Sequence, residues 1–257
     1  MELGLQDKVA VVSGASRGIG RSIARQLAAE GMRLLVTARS ASPLADLAAE
    51  YPGRILPLAL DLREPDAPAQ AIQAAADHFG RLDLLVNNAG ATRRGDFLTL
   101  SEDDWQDGFA LKFYAAVRSA RAAWPLLMAS HGAIINIVGV GGRTGSAEFA
   151  IGGAVNAALL NLTKVLADRG VQDGVRVNAI NPGSIATERL NIRIRQFAQQ
   201  HGLEESAAAH QLAQKQGIAG FGQPEDIARV VAFLASDGAG YCQGCVMDVD
   251  GGQTRTL

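Results

Sequence analysis

Gly14, Gly18 and Gly20 are the residues of this chain whose type and spacing most clearly prepare a chemical site, in the segment KVAVVSGASRGIGRSIARQLAAEG. Lys8 to Val12 is a β-branched run that reads as a buried strand, and an amphipathic helix is expected from about Ile19 to Glu30. Three glycines between them permit a tight turn, admit bare backbone to a pyrophosphate and let the helix pack closely on its strand. The helix then aims its N-terminal amides at the phosphate. Glycine turns of this kind also serve purely structural ends, and it is the strand before and the helix after that favour a dinucleotide.

A second pattern, CxxC at Cys242 and Cys245, suggests a redox pair or half of a zinc site. The chain has no other cysteine and no histidine near these two, so a four-ligand site has no completion and no metal is expected. The pair falls where a turn enters the last strand, in YCQGCVMDVDGG, and is read as two small structural residues.

These residues need a scaffold, and the pattern supplies one. Strands are expected near 8–13, 33–38, 54–59, 82–87, 132–139, 174–180 and 245–249, with helices between them, long ones near 101–129 and 147–170. Such alternation predicts a single-domain α/β fold over 1–257, a doubly wound parallel Rossmann-type sheet of about seven strands with helices on both faces. The segment 184–222, just past a strand end, is helix-prone and placed where a substrate lid would sit. The chain has 257 residues, 48% hydrophobic, with a formal net charge of -2 and no basic face, so nucleic acid is not an expected partner. No leader is read at the N-terminus and no apolar run is expected to reach bilayer length, which makes a soluble cytoplasmic protein the expectation.

Five motifs in order along almost the whole chain resemble those of the short-chain dehydrogenase/reductase family: SGASRGIG at 13–20, Asp61 with Leu62, NNAG at 87–90, RVNAINPGSIAT at 176–187 and DVDGG at 248–252. The resemblance implies cofactor contacts from Gly14, Ser16, Arg17, Gly18, Ile19 and Gly20 in the turn, and from Asp61 and Leu62 at the adenine. It further implies contacts from Asn88, Ala89 and Gly90 after the fourth strand, and from Pro182, Gly183, Ile185 and Thr187 after the sixth. NAD-preferring relatives end the second strand with an acid. Here Ala38 holds that place, Arg39 follows, and Arg17 lies in the glycine turn, so two guanidinium groups suit a 2'-phosphate. NADP(H) is the preferred cofactor, with NAD(H) left open.

Catalysis departs from the family pattern. Its reductases use Asn, Ser, Tyr and Lys, and those positions fall here on Lys112, Gly139, Gly152 and Asn156. The only tyrosines are Tyr51, Tyr114 and Tyr241, so no small shift of register restores a YxxxK. Asn and Lys have traded helices. Lys112 is therefore a candidate acid or oxyanion stabiliser reaching the pocket from the opposite wall, and Asn156 a candidate partner for ribose hydroxyls. The alternative is that Lys112 snorkels to solvent or pairs with a carboxylate.

Gly152 and Gly153 each cost about 1 kcal/mol against alanine inside a helix, which calls for a close approach by something, whether a neighbouring helix, substrate, water or Phe149. Arg93, Arg94, Arg189, Arg193 and Arg195, with Arg143 and Glu148 at the border, imply an anionic substrate if several converge. Two functions follow. One is an NADP(H)-dependent oxidoreductase moving hydride to or from a small carbonyl, alcohol or activated double bond by a non-standard mechanism. The other is a dinucleotide-binding protein without turnover, a sensor or silent subunit. The resemblance implies a homodimer or homotetramer formed through the two long helices.

Overall fold

The computed structural model describes residues 2–255. Seven short runs rich in Val, Ile, Leu and Ala become β1 (Val9–Ser13), β2 (Arg33–Ala38), β3 (Ile55–Ala59), β4 (Leu84–Asn87), β5 (Ala133–Ile137), β6 (Arg176–Pro182) and β7 (Val246–Val249). They form one sheet in the order β3-β2-β1-β4-β5-β6-β7, and every pairing is parallel. A parallel sheet covered on both faces needs strands apolar on both sides, and β1 and β5 are buried at every residue. Pro57, which cannot donate to a ladder, is confined to the edge strand β3.

Among the described residues nine α-helices connect and cover the strands: α1 (Gly18–Ala29), α2 (Ala41–Glu50), α3 (Ala67–Phe79), α4 (Glu102–Phe109), α5 (Ala115–Ser130), α6 (Ala150–Asp173), α7 (Glu188–His201), α8 (Glu205–Lys215) and α9 (Pro224–Ala235). Ile23 and Leu27 of α1, Leu44 and Leu47 of α2, and Ile227 and Val231 of α9 build the core on one face of the sheet. Ala71 and Ile72 of α3, Ala123 and Leu127 of α5, and Ala167 of α6 build it on the other. The helix expected near 101–129 is present but re-phased, because Ala110–Tyr114 forms a π-helical turn between α4 and α5. Such turns insert a residue and redirect side chains, commonly at functional sites.

The expectation that no apolar run reaches bilayer length is corrected. Ala147–Asp173 is long enough and reaches a mean hydropathy of 1.4 over its best window. In the fold its Ile151, Val155, Leu159, Thr163 and Ala167 form one buried stripe at helical spacing, so it is a core helix with an outward apolar face. The two cysteines are free thiols, half-buried, in a turn that Asn178 holds by donating to the Cys242 carbonyl and accepting from the Cys245 amide, both at 2.9 Å.

Residues 184–222 leave the sheet at a narrow neck, where the Ala186 amide donates to the Gly222 carbonyl at 2.8 Å and the Gly222 amide to the Ser184 carbonyl at 3.1 Å. Beyond it α7 and α8 close on a small core of their own, Leu190, Ile194, Ala198, Ala208 and Leu212.

One buried polar chain crosses the centre of the sheet. Asn87 Nδ2 donates to Asn136 Oδ1 at 2.9 Å, and Asn136 Nδ2 to Thr163 Oγ1 at 2.9 Å, joining β4, β5 and α6. Asn136→Ala leaves the buried Asn87 amide without this partner and takes one of two bonds from the Thr163 hydroxyl, which keeps its donation to the Leu159 carbonyl at 2.8 Å; it is expected to lower stability by about 1–3 kcal/mol, read as a shift in the urea midpoint at unchanged m-value.

Candidate active site

The order of strands reverses between β1 and β4, and the crevice outside their C-terminal ends is where open α/β sheets hold ligands. Ser13 organises this point. Its hydroxyl donates to the Val86 carbonyl at 3.2 Å and accepts from the amides of Asn88 at 2.9 Å and Ala89 at 3.0 Å. Asn88 Nδ2 in turn donates to the carbonyls of Ser13 at 2.9 Å and Gly14 at 3.2 Å. The end of β4 is thus bolted to the glycine turn.

Gly14 and Gly18 take φ of +69° and +56°, the left-handed region glycine enters without penalty. A Cβ on Gly20 would lie 2.2 Å from the Gly14 carbonyl oxygen and 2.4 Å from Asn88 Nδ2, so the helix sits as near the turn as backbone allows. No side chain caps the N-terminus of α1, where Arg17 is the capping residue. Its first amides therefore have no side-chain partner, which fits a pyrophosphate. Thr187 lies over this cradle, with its methyl 3.3 Å from the place a Gly18 Cβ would take.

The other expected cofactor residues are distributed around the same crevice with differences. Leu62 turns inward and is buried with Ala67 and Ala115. Asp61 accepts from the Arg63 amide at 3.1 Å. Ile185 is buried and bridges to Gly222, while a Cβ on Gly183 would meet Asp250 at 2.7 Å. Arg39 is exposed at the end of β2, and its charge helps hold the Asp107 carboxyl below its usual range, after the hydrogen bonds and charge of Arg63. Arg17 is not free in the turn, because it is ion-paired with Glu188 at the start of α7.

Lys112 stands on the π-helical turn, with its stem against Gly90; a Cβ on that glycine would meet Lys112 Cδ at 2.9 Å. Its Nζ donates to the Val138 carbonyl at 2.5 Å and to Asn156 Oδ1 at 2.6 Å. The structure therefore brings Lys112 and Asn156 together, and neither a carboxylate partner nor a snorkelling side chain is found. The amide of Asn156, 3% exposed, is occupied on both sides, since Nδ2 reaches the Gly139 carbonyl at 3.4 Å.

Burial, and next the charge of Arg189, pull the Lys112 ammonium down from 10.5 to about 7. An ammonium has three N–H groups, and two are committed to fixed acceptors.

Gly139 adopts φ +132° and ψ 145°, a region essentially closed to side-chain-bearing residues. Its amide donates to Asn181 Oδ1 at 3.2 Å, and Asn181 Nδ2 donates to Asp248 Oδ1 at 2.8 Å, where Arg143 also approaches to 3.4 Å. The space beside Gly152 belongs to Phe149, whose Cζ would be 2.0 Å from a Cβ on that glycine. Phe149 also lies 2.8 Å from where a Gly141 Cβ would stand.

Of the arginines proposed for substrate, Arg93 is held by Asp104 at 3.1 Å, and Arg189 donates to the Gly90 carbonyl at 3.0 Å. The Arg94 guanidinium stacks 4.2 Å from the centre of the Phe149 ring. Sequence reasoning missed the π-helical turn and the Ser13 hub, for which no local pattern exists. It named Phe149 only as one of several possible fillers.

The sheet, its switch point and the glycine cradle define a Rossmann-type dinucleotide-binding α/β protein. The model of a family described as enoyl-(acyl carrier protein) reductase matches residues 14–254. A 3-oxoacyl-[acyl-carrier-protein] reductase of Synechocystis is 35% identical, covering 96% of this chain and 97% of that protein. The L-sorbose reductase of Gluconobacter frateurii, solved with NADPH and L-sorbose, superposes with a TM-score of 0.95 at 32% identity over 100% of both chains. The NADPH-dependent reductase YwfH, involved in bacilysin biosynthesis, superposes at 0.90 with 29% identity, covering 98% of this chain and 100% of its own. The chain belongs to the short-chain dehydrogenase/reductase family of oxidoreductases.

Gly152→Ala is expected to cost about 1–3 kcal/mol by overpacking against Phe149. In a Phe149→Ala background most of that cost disappears, a coupling that a thermal-unfolding double-mutant cycle measures.

Proposed function

We propose that this protein is an NADP(H)-dependent oxidoreductase of a small carbonyl or conjugated double bond in which Lys112, in place of a tyrosine, handles the proton. The observation that carries the reading is the Lys112 ammonium, fixed between Val138 and Asn156 and titrating near neutrality in the cleft. Four positions where the family's reductases carry Asn, Ser, Tyr and Lys hold Lys112, Gly139, Gly152 and Asn156. NADP(H) is supported by the NADPH bound in the L-sorbose reductase, by Arg39 at the end of β2 and by the absence of an acid at Ala38.

When bound, NADPH supplies a hydride. The chain's part is to hold the substrate oxygen against the third N–H of Lys112, so that charge developing on oxygen meets a positive group already in place. Lys112 Nζ then gives its proton to that oxygen, and is recharged from solvent. Val138 and Asn156 fix Nζ throughout, because one offers a backbone carbonyl just past the end of β5, where its amide donates to the Ile180 carbonyl at 2.8 Å, and the other is buried. A pKa near working pH suits both giving and regaining the proton.

The hairpin of α7 and α8 serves as the lid, latched by Arg17 to Glu188 and by Arg189 to Gly90. Exposed Tyr114 and Met128, next to and on α5, and exposed Val165 and Val171, on α6, support pairing with a second copy through these helices.

Stopped-flow loss of NADPH absorbance against a panel of ketones, enones and imines tests the reading. Lys112→Met is expected to reduce turnover by about 10²- to 10⁴-fold, and tight NADPH binding with no consumption across the panel sinks the proposal. Because the acid form is required, kcat/KM falls as pH rises through about 7, and the inflection is absent in Lys112→Arg. Stability moves the other way. The folded pKa lies below the unfolded one, so the native state carries fewer protons between about 7 and 10.5 and the burial penalty, full below 7, is relieved across that window.

Arg39→Ala is expected to weaken NADPH about tenfold or more while leaving NADH little changed, measured by cofactor fluorescence.

A further inference from the structure

Arg94 and Arg193 are unlike most other cations near the cleft. Arg17 is paired with Glu188, Arg63 with Asp61 and Asp107, Arg93 with Asp104 and Arg143 with Asp248. Among the described residues Arg94, Arg189, Arg193 and Lys112 have no carboxylate within 4.0 Å. They are nonetheless gathered in one place. Arg189 reaches Gly90, against which the Lys112 stem packs. Arg193 follows Arg189 one turn along α7.

Arg94 is brought to this group by a specific contact. Its guanidinium lies on the ring of Phe149, and Phe149 and Asn156 both flank Gly141, at 2.8 Å and 3.6 Å from where its Cβ would stand. Phe149 therefore meets Arg94 on its ring and shares the Gly141 position with Asn156, the acceptor of Lys112. The loop that carries it is tied to the Phe149 turn, because the Gly95 amide donates to the Glu148 carbonyl at 3.2 Å.

Three unpaired guanidinium groups and an ammonium repel one another. Partial burial, then the charge of Arg193, pull Arg94 below its ordinary value, with Arg189 adding to this and only the exposed Glu148 opposing it. Arg189 is likewise lowered by burial and then by the charge of Arg17. Accumulated like charge of this kind is relieved by an anion. A guanidinium stacked by its face on an aromatic ring keeps its in-plane N–H edge for a planar, bidentate partner, which describes a carboxylate.

We infer that Arg94 and Arg193 receive the carboxylate of an anionic substrate, anchoring an oxo acid or unsaturated acid across the Phe149 ring from Lys112. The inference rests on the reductase reading above for its chemistry but not for its binding, so the two are tested apart. The probes are 3-phenylpropanoate and 3-phenylpropanamide, an inert acid and its neutral amide, titrated calorimetrically into the protein saturated with NADP+. The acid is expected to bind about ten- to a hundredfold more tightly than the amide.

Arg94→Gln with Arg193→Gln is expected to bring that ratio near one while the affinity for NADPH, followed by its fluorescence, is kept. The acid preference persists in Lys112→Met, so a protein that binds the acid but never consumes NADPH upholds the anion site and removes only the proposed chemistry. Equal binding of acid and amide, binding of neither, or a preference that survives the double substitution overturns the inference.

Discussion

The contact on which the site depends is the bridge from the Lys112 ammonium to the Val138 carbonyl and the Asn156 amide oxygen. It joins three elements that are far apart in sequence: the π-helical turn, the end of β5 and the second turn of α6. A buried charge is tolerated only where its donors find acceptors, and here one acceptor is backbone that cannot move away. The depressed pKa comes from burial and then from the charge of Arg189, and the two acceptors work against it by holding the charged form.

Around this bridge the fold supplies two rigid edges. On one side Ser13 and Asn88 lock the glycine turn to the end of β4, so the cradle and the crevice cannot shift independently. On the other, Gly139, Asn181 and Asp248 run a hydrogen-bonded line from β5 through β6 to β7. The less rooted part is the α7–α8 hairpin. It owns a separate small core and meets the rest through a neck and a few polar contacts, as expected of an element drawn from the low-stability end of a structure.

The sheet was legible in the sequence because its signal is local and redundant. β2 was read at its full extent, and the others to within two residues at each end, since parallel strands buried on both faces must be runs of apolar residues. Gly14, Gly18 and Gly20 were legible for the same reason, as each answers a demand of its own backbone. What escaped depended on partners distant in the chain. The π-helical turn has no pattern of its own, so the direction of Lys112 was open. The contacts of the Asn156 amide with Lys112 and with Gly139 likewise join residues distant in the chain. The expectation for Ala147–Asp173 failed differently, because a core helix with one apolar side inward and another outward has the composition of a bilayer span.

The conformation of Gly139 and the ring at Gly152 limit what side chain either position can carry. A hydroxyl-bearing residue at 139 meets a backbone angle of +132° that its Cβ cannot share, and any side chain at 152 meets Phe149 before it meets the cleft. Each obstacle is lifted only by a change elsewhere, in the loop that sets the angle or in the ring itself. At either position a single substitution therefore meets a strained backbone or an occupied space, and the surroundings have to move with it.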